Sequence, residues 1–406
     1  MKSDMRKGRV FFYVKLCVYF LLLCGTSASA KQQSSAVKRK KPMKILMIVS
    51  AFPKLSSICA MNQMTGLIDR GHEVHVFAFE KGDCVKVQDD IIKYDLINKT
   101  TFGKLPASLD DYDIVMFQMG HQLLDLRKTH NFKGKIVVCM RGYDITGFLK
   151  ENPHAYDYFF EACDLFLPVC NAFKKLLVKA GCAPNKIAVH YSSIDCSKFK
   201  FQEKKFSERS NVNIISAGRF VEKKGFIYSL VAVEQLLKKY PYLRYVIIGD
   251  GVLKEGHKQI IRLLSIDDKV QIYDWFTHSE YIDILKKSHF CVMPSVTARN
   301  NNQEGIANVL KEAMAMGIIV IATDHSGNSE LIEDGVTGFL VPERDSAAIY
   351  NVLEYLLNNP SKWASIQAAA RKVVIKKFDK EKQNDNLEAL LYNLVYGDKE
   401  ETSLSI

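Results

Sequence analysis

Short, continuous runs of Val, Ile and other apolar residues, each about the length of one strand, recur along this chain and alternate with longer amphipathic stretches. Runs without polar alternation suit strands covered on both faces, and helical crossovers between them make the strands parallel. The first series reads KILMIVSAF, EVHVFAF, DIVMFQM, KIVVCMR, LFLPV and KIAVHY. The charged segment KFQEKKFSERSN interrupts it, and a second series follows: VNIISAGR, YVIIGDG, KVQIYDW, FCVMPSV, IIVIATD and GFLVP. Two series mean two doubly wound α/β lobes joined near residues 200–210. Ligands of open α/β sheets bind beyond the carboxyl ends of the strands, so paired lobes put a site in the cleft between them. The expected organisation is a leader over residues 1–42, a first lobe over 43–205, a second over 206–378, and a C-terminal helix over 379–396 that crosses back to the first lobe.

A chain of 406 residues, 48% hydrophobic and 25% charged, is long enough for both lobes. Its formal charge of +11 suggests nucleic acid until the charge is located. Residues 1–42 hold ten Lys or Arg and one acid, Asp4, which leaves 46 basic against 44 acidic residues in the remainder. The body is close to neutral, and binding of nucleic acid is not expected. The leader has a basic start, an apolar stretch from Val10 to Cys24 broken by Lys15, and the small-residue site Ala28-Ser29-Ala30. That pattern fits a signal or anchor segment. The run Lys38-Arg39-Lys40-Lys41 resists translocation, and a start at Met43 is the competing reading. A cytoplasmic protein, or one at the cytoplasmic face of a membrane, is expected, with export left open by the leader. The eight cysteines beyond the leader form no C-x-x-C pair and read as reduced, buried small hydrophobes.

Strand ends carry the chemistry. In ISAGRFVEKKGF a strand ends at Gly218, and Arg219 and Lys224 follow before a helix begins around Gly225. An Arg fork and a Lys point charge at a strand end suit a diphosphate; the alternative is a solvated loop, the reading given to the adjacent Glu222 and Lys223. In QEGIANVLKEAMAMG, Glu304 stands at the mouth of a helix and Glu312 two turns inside it. Free N–H groups around Gly305, Ile306, Ala307 and Asn308 would favour an anion, and Gly305 allows close backbone approach. Glu304 can accept from sugar hydroxyls and Glu312 from a vicinal diol such as a ribose. The competing reading has Glu304 complement the helix dipole and Glu312 face solvent. Asp111-Tyr112-Asp113 precedes a strand instead of ending one, GHEVH falls one residue short of a zinc motif, and no metal is expected at either. KKLLVKAG (174–181) is a basic amphipathic stretch, either a peripheral membrane contact or a solvated helix face.

From Met43 to about Tyr396 the chain resembles the retaining GT-B fold glycosyltransferases of family four, in particular their exopolysaccharide branch. The resemblance rests on GRFVEKKGF, VIIGDG, MPSVTARNNNQEGIANVLKEAMAMG and HSGNSELIEDGVTGFLVPERD. It implies two Rossmann-like domains facing a cleft, and transfer of a hexose from a nucleotide diphosphate sugar to a glycan or lipid-linked acceptor. Anomeric configuration would be retained, with neither metal nor cofactor beyond that co-substrate. By the same resemblance Arg219 and Lys224 bind the donor diphosphate, Glu304 lies at the transferred sugar and Glu312 holds the ribose. Gly218, Gly249 and Gly305 to Asn308 line the donor. Arg141 and Asp144 in MRGYDI fall on the sugar or acceptor side. Arg141 stands where the family often has His, Gln118-Met119-Gly120 replaces a His-Phe-Gly pattern, and Ile58-Cys59-Ala60 replaces Thr-Phe-Ile. For Arg141, contact with a sugar hydroxyl or phosphate competes with an ion pair to Asp144. A non-catalytic nucleotide-sugar or glycan binding protein and a nucleotide-sugar epimerase are the alternative functions.

Overall fold

The computed structural model describes residues 41–53, 58–82, 89–106, 108–128, 132–207, 211–274 and 276–400. The leader reading therefore lies outside the described residues, apart from its last two positions. The first sheet contains β1 (Lys44–Phe52), β2 (Glu73–Lys81), β3 (Thr100–Phe102), β4 (Ile114–Phe117), β5 (Lys135–Met140) and β6 (Leu165–Pro168), in the order β3-β2-β1-β4-β5-β6. Every pairing is parallel, with Ile45 opposite Val74 on one side and Ile114 on the other. The second sheet contains β7 (Val212–Ala217), β8 (Leu243–Ile248), β9 (Val270–Tyr273), β10 (Phe290–Met293), β11 (Ile319–Thr323) and β12 (Phe339–Val341), in the order β12-β11-β10-β7-β8-β9. It too is wholly parallel.

The continuous apolar runs are explained by cover on both faces. In the first sheet Ile45, Met47, Val74, Val76, Ile114 and Met116 pack with Met61, Met64 and Leu67 on one side. The intervening residues Leu46, Ile48, Val115 and Phe117 face a second apolar cluster that runs on into the other lobe. All four residues of β4, β6 and β10 are buried. Burying that much apolar side chain, at roughly 25 cal/mol per Å², is what offsets the cost of ordering two sheets.

Two details differ from the sequence expectation. KIAVHY is not a strand: only Ile187 bridges Phe166, although Ala188 N–H bonds Phe166 O and His190 N–H bonds Pro168 O. Pro168 at the end of β6 has no N–H to return, so the ladder stops there. Conversely, the three-residue β3 in TTFGK has no apolar run to announce it. At the far end of the chain, the Lys380–Glu400 helix packs on the Ile58–Asp69 helix through buried Leu387 and Leu391. Asn384 Nδ2 donates to Asn62 O at 3.0 Å, and Arg70 is paired with Glu381 and Asp385. No helix among the described residues is long and apolar enough to cross a membrane.

Both strand orders reverse direction at a central strand, between β1 and β4 and between β7 and β10. Such reversals open a crevice beyond the carboxyl ends of the flanking strands. The residues following β7 are Gly218 to Lys224, and those following β10 are Pro294 to Ala307.

Candidate functional site

After β7 the chain makes a single 3-10 turn at Glu222–Lys224 and then, at Gly225, a left-handed bend with φ of 61°. Only glycine fits there without strain, because a Cβ would also collide with Pro294 O. The Phe226–Lys239 helix starts directly afterwards. The turn leaves Arg219 and Glu222 exposed and sends both lysines inward. Lys224 Nζ lies 2.9 Å and Lys223 Nζ 3.4 Å from Glu304 Oε2. Lys223 is thus no solvated loop residue: it is 7% exposed and also donates to Gln303 O at 3.2 Å. The solvated reading holds for Glu222, which accepts from Arg299 N–H at 3.1 Å. Gly218 packs against Lys224, since a Cβ there would stand 2.9 Å from Lys224 Cε.

Burial opposes the charge on Glu304, but the ammonium groups of Lys224 and Lys223 outweigh it and hold the carboxyl well below its ordinary value. Burial lowers the Lys223 ammonium, and Lys224 and Arg219 push the same way against the attraction of Glu304. The three cations and one carboxylate thus carry net positive charge, the balance an anionic ligand needs.

The polar loop after β10 reaches the Asn308–Ala315 helix through Glu304 to Ala307. That helix begins at Asn308, two residues later than the start directly after Glu304-Gly305 that the sequence suggests. Gly305, Ile306 and Ala307 are buried, and among the described residues their N–H groups make no hydrogen bond within the chain. Buried backbone N–H groups are nearly always paired, so three in succession mark a place where an anion or polar ligand fits. Glu304 N–H does have a partner, His325 Nε2 at 3.0 Å, and His325 Nδ1 is bonded to Glu343 Oε1. Neither His325 nor Glu343 is visible as a site residue from local spacing.

Glu312 does not face solvent. It is 6% exposed and accepts from Tyr281 OH at 2.7 Å. Burial raises its carboxyl above the ordinary value, against the hydrogen bond from Tyr281 and the charge of Lys311. With two lone pairs on each oxygen it retains capacity for further donors. Asn308 turns the other way, donating to Cys59 Sγ at 3.4 Å and accepting from Lys311 Nζ at 3.0 Å. Gly249 closes β8, its N–H bonded to Tyr273 O at 2.9 Å, and makes no bond to the lysine–glutamate group.

The first lobe meets this loop directly. Gln303 N–H donates to Thr146 Oγ1 at 3.2 Å, and a Cβ on Gly142 would lie 3.2 Å from Gln303 O. Asp144 is fully buried and accepts from the N–H groups of Gly120, Arg141 and Gly142. Its charge is satisfied by backbone, and it makes no side-chain ion pair with Arg141. The Arg141 guanidinium instead donates to Gln118 O and Gln63 Oε1, each at 3.0 Å, and to Gln118 Oε1. Gln118, which departs from the resemblance, is therefore the partner of the arginine that departs with it. Cys59, Arg141 and His190 line a small pocket beside them. Burial pushes the His190 ring down to about 3, and among the described residues its Nδ1 has no hydrogen-bond partner. Further along, Glu330 of the second lobe accepts from Asn171 N–H at 2.7 Å and Tyr191 OH at 2.9 Å. Lys311 Nζ donates to Ser192 O at 2.7 Å.

Asp113 Oδ2 accepts from Lys44 N–H at 2.8 Å, and His72 Nδ1 from Met43 N–H at 3.1 Å, so both serve the N-terminal end of the central strand β1.

Residues 197–373 match the family described as Glycosyl transferases group 1. A relative in Salmonella typhimurium, described as "Putative colanic acid biosynthesis glycosyltransferase WcaL", is 28% identical over 87% of this chain and 100% of its own length. The amylovoran biosynthesis glycosyltransferase AmsK of Erwinia amylovora is 28% identical over 83% of this chain and 96% of its own. Among solved structures, Anabaena Alr3699/HepE in complex with UDP-glucose superposes with a TM-score of 0.70 at 19% identity, covering 86% of this chain and 99% of that one. That likeness is one of fold, and it confirms the two facing Rossmann-like lobes.

Proposed function

We propose that the chain, whose residues 197–373 match the group 1 glycosyltransferase family and whose fold is two-lobed GT-B, transfers a hexose from a nucleotide diphosphate sugar to a hydroxyl of a glycan or lipid-linked acceptor, with retained configuration and without a metal. The observation that carries this reading is the meeting, at the crevice between β7 and β10, of Lys224, Glu304 and the N–H groups of Gly305 to Ala307, which have no partner among the described residues. Arg219 and Lys224 take the diphosphate, and Glu312 takes the ribose diol. Glu304 receives hydroxyls of the transferred sugar. In the reaction the bond from the anomeric carbon to the diphosphate oxygen breaks and a bond to the acceptor oxygen forms on the same face. The acceptor proton passes to the departing diphosphate. Negative charge grows on that leaving group, and fixed cations and N–H groups aimed at it lower the barrier. Polysaccharide relatives such as AmsK support an acceptor in glycan assembly, and the UDP-glucose bound by HepE supports a UDP-sugar as the first donor to try.

The test is nucleotide release by the full chain, measured by mass spectrometry, from UDP-, GDP- and ADP-sugars. A charge-assisted hydrogen bond contributes roughly 1.5–3 kcal/mol, so Arg219→Ala is expected to slow release about 10- to 150-fold. Glu304→Ala is expected to abolish sugar transfer. Binding of a donor with no release dependent on Glu304 would instead support a non-catalytic binding protein. Conversion of the donor sugar in the absence of any acceptor would support an epimerase.

A further inference from the structure

We propose that His325 and Glu343 act as a positioning pair that sets the place of Glu304 for sugar transfer, an inference that rests on the function assigned above. The geometry starts at the backbone. Glu304 N–H donates to His325 Nε2 at 3.0 Å, so that nitrogen carries no hydrogen and the ring proton sits on Nδ1. Nδ1–H in turn donates to Glu343 Oε1. His325 is 2% exposed, which leaves the ring no alternative partner in water.

Glu343 has a second hold on the same loop. Thr297 donates to it twice, through N–H at 2.9 Å and through Oγ1 at 3.2 Å. Arg344 completes the arrangement by bonding both Glu343 Oε2, at 3.0 Å, and Thr297 O. Thr297 and Glu304 are the two ends of the polar loop that follows β10. One carboxylate therefore fixes the start of that loop directly and its end through an imidazole. Between these ends the backbone turns tightly, with Asn301 left-handed at φ of 61° and Asn301 N–H bonded to Ala298 O at 2.8 Å. Burial opposes the charge on Glu343, yet the bonds from His325 and Thr297 keep its carboxyl below the ordinary value.

The lysines hold the Glu304 carboxylate, and Lys223 also holds the Gln303 carbonyl; the histidine holds the N–H of the same peptide unit. With both in place the side chain has one position, and a misplacement of about 1 Å at a reacting centre can cost about 100-fold in rate. Neither His325 nor Glu343 makes a hydrogen bond or ion pair with Arg219, Lys224 or Glu312, so nucleotide binding should survive their loss.

The test compares His325→Ala, His325→Gln and Glu343→Gln with the wild-type full chain. His325→Ala is expected to reduce donor turnover by about 10- to 100-fold while the Kd for UDP stays within about 2-fold. Glu343→Gln, which keeps an acceptor for Nδ1–H, should retain more turnover than His325→Ala. Unchanged turnover in His325→Ala, or a parallel loss of turnover and UDP affinity, would overturn the proposal. A second readout needs no turnover: in protein labelled with 15N-histidine, the ring signal missing from His325→Gln should show the Nδ1–H tautomer. An Nε2–H tautomer there overturns the pair even in an active enzyme. An inactive wild type with the expected tautomer overturns the assigned function instead, and with it any part for the pair in transfer.

Discussion

Replacing Glu304 by Gln should separate donor binding from transfer, because the carboxylate proposed to receive the sugar hydroxyls also occupies Lys224. The substitution keeps the side-chain shape and removes the charge. Lys223 and Lys224, each less than a tenth exposed, are left without a carboxylate at 3.4 and 2.9 Å. Removing one partner of a buried pair costs about 3–5 kcal/mol. The Glu304 side chain is 21% exposed, so solvent screening brings the expected loss of stability to roughly 2 kcal/mol. The freed Lys224 ammonium gains a charge-assisted bond to an arriving diphosphate. At a partly solvated site that is worth about 1–2 kcal/mol, or roughly 5- to 30-fold in Kd. Urea unfolding and calorimetric titration with UDP measure the two effects on one sample. The expected result for Glu304→Gln is a lower unfolding midpoint, tighter UDP binding and at least about 100-fold slower transfer. Weaker or unchanged UDP binding would refute the competition between Glu304 and the diphosphate for Lys224.

Gly305→Ala would place a Cβ 2.7 Å from Val169 Cγ2 and 3.3 Å from Phe173 Cε2, and the overpacking should cost about 1–3 kcal/mol in urea unfolding; an unchanged midpoint would show that the first lobe gives way there. Tyr281→Phe removes the donor at 2.7 Å from buried Glu312 and should cost about 1–3 kcal/mol, seen as a lower midpoint with weaker nucleotide binding. The acid response of Glu304 has a fixed sign. Its carboxyl is held below the ordinary 4.5, so the folded chain binds fewer protons than the unfolded one. The contribution is complete above about pH 4.5 and is lost as pH falls through the folded value. Between pH 6 and pH 3, stability of the wild type should therefore fall more steeply than that of Glu304→Gln; equal slopes would remove the ion pair as the cause.

The six runs of the second series all became strands: β10 and β11 at the middle of the sheet are buried throughout, and β9 at its edge exposes Gln271 and Tyr273. KIAVHY has the same composition but follows a 3-10 turn at Pro184–Lys186 and meets a proline-ended neighbour, and composition does not report on neighbours. The charged triplet Glu222-Lys223-Lys224 shows why the site was only partly legible. Local sequence places all three on one loop, and only the turn geometry decides that two point inward. Arg141 found its partners, Gln63 and Gln118, 78 and 23 residues away. His325 and Glu343 lie beyond the ends of β11 and β12, and meet because those strands are neighbours. The motif spacings were legible because R-x4-K and E-x7-E each belong to one strand end and one helix; contacts between strand ends were not.

The measurement that bears most directly on the whole account is the structure of the full chain with UDP bound. The expected structure has the phosphates between Arg219, Lys224 and the N–H groups of Gly305 to Ala307, with the ribose hydroxyls on Glu312. UDP seated away from the crevice between β7 and β10, or phosphates that touch neither Arg219 nor Lys224, would contradict it.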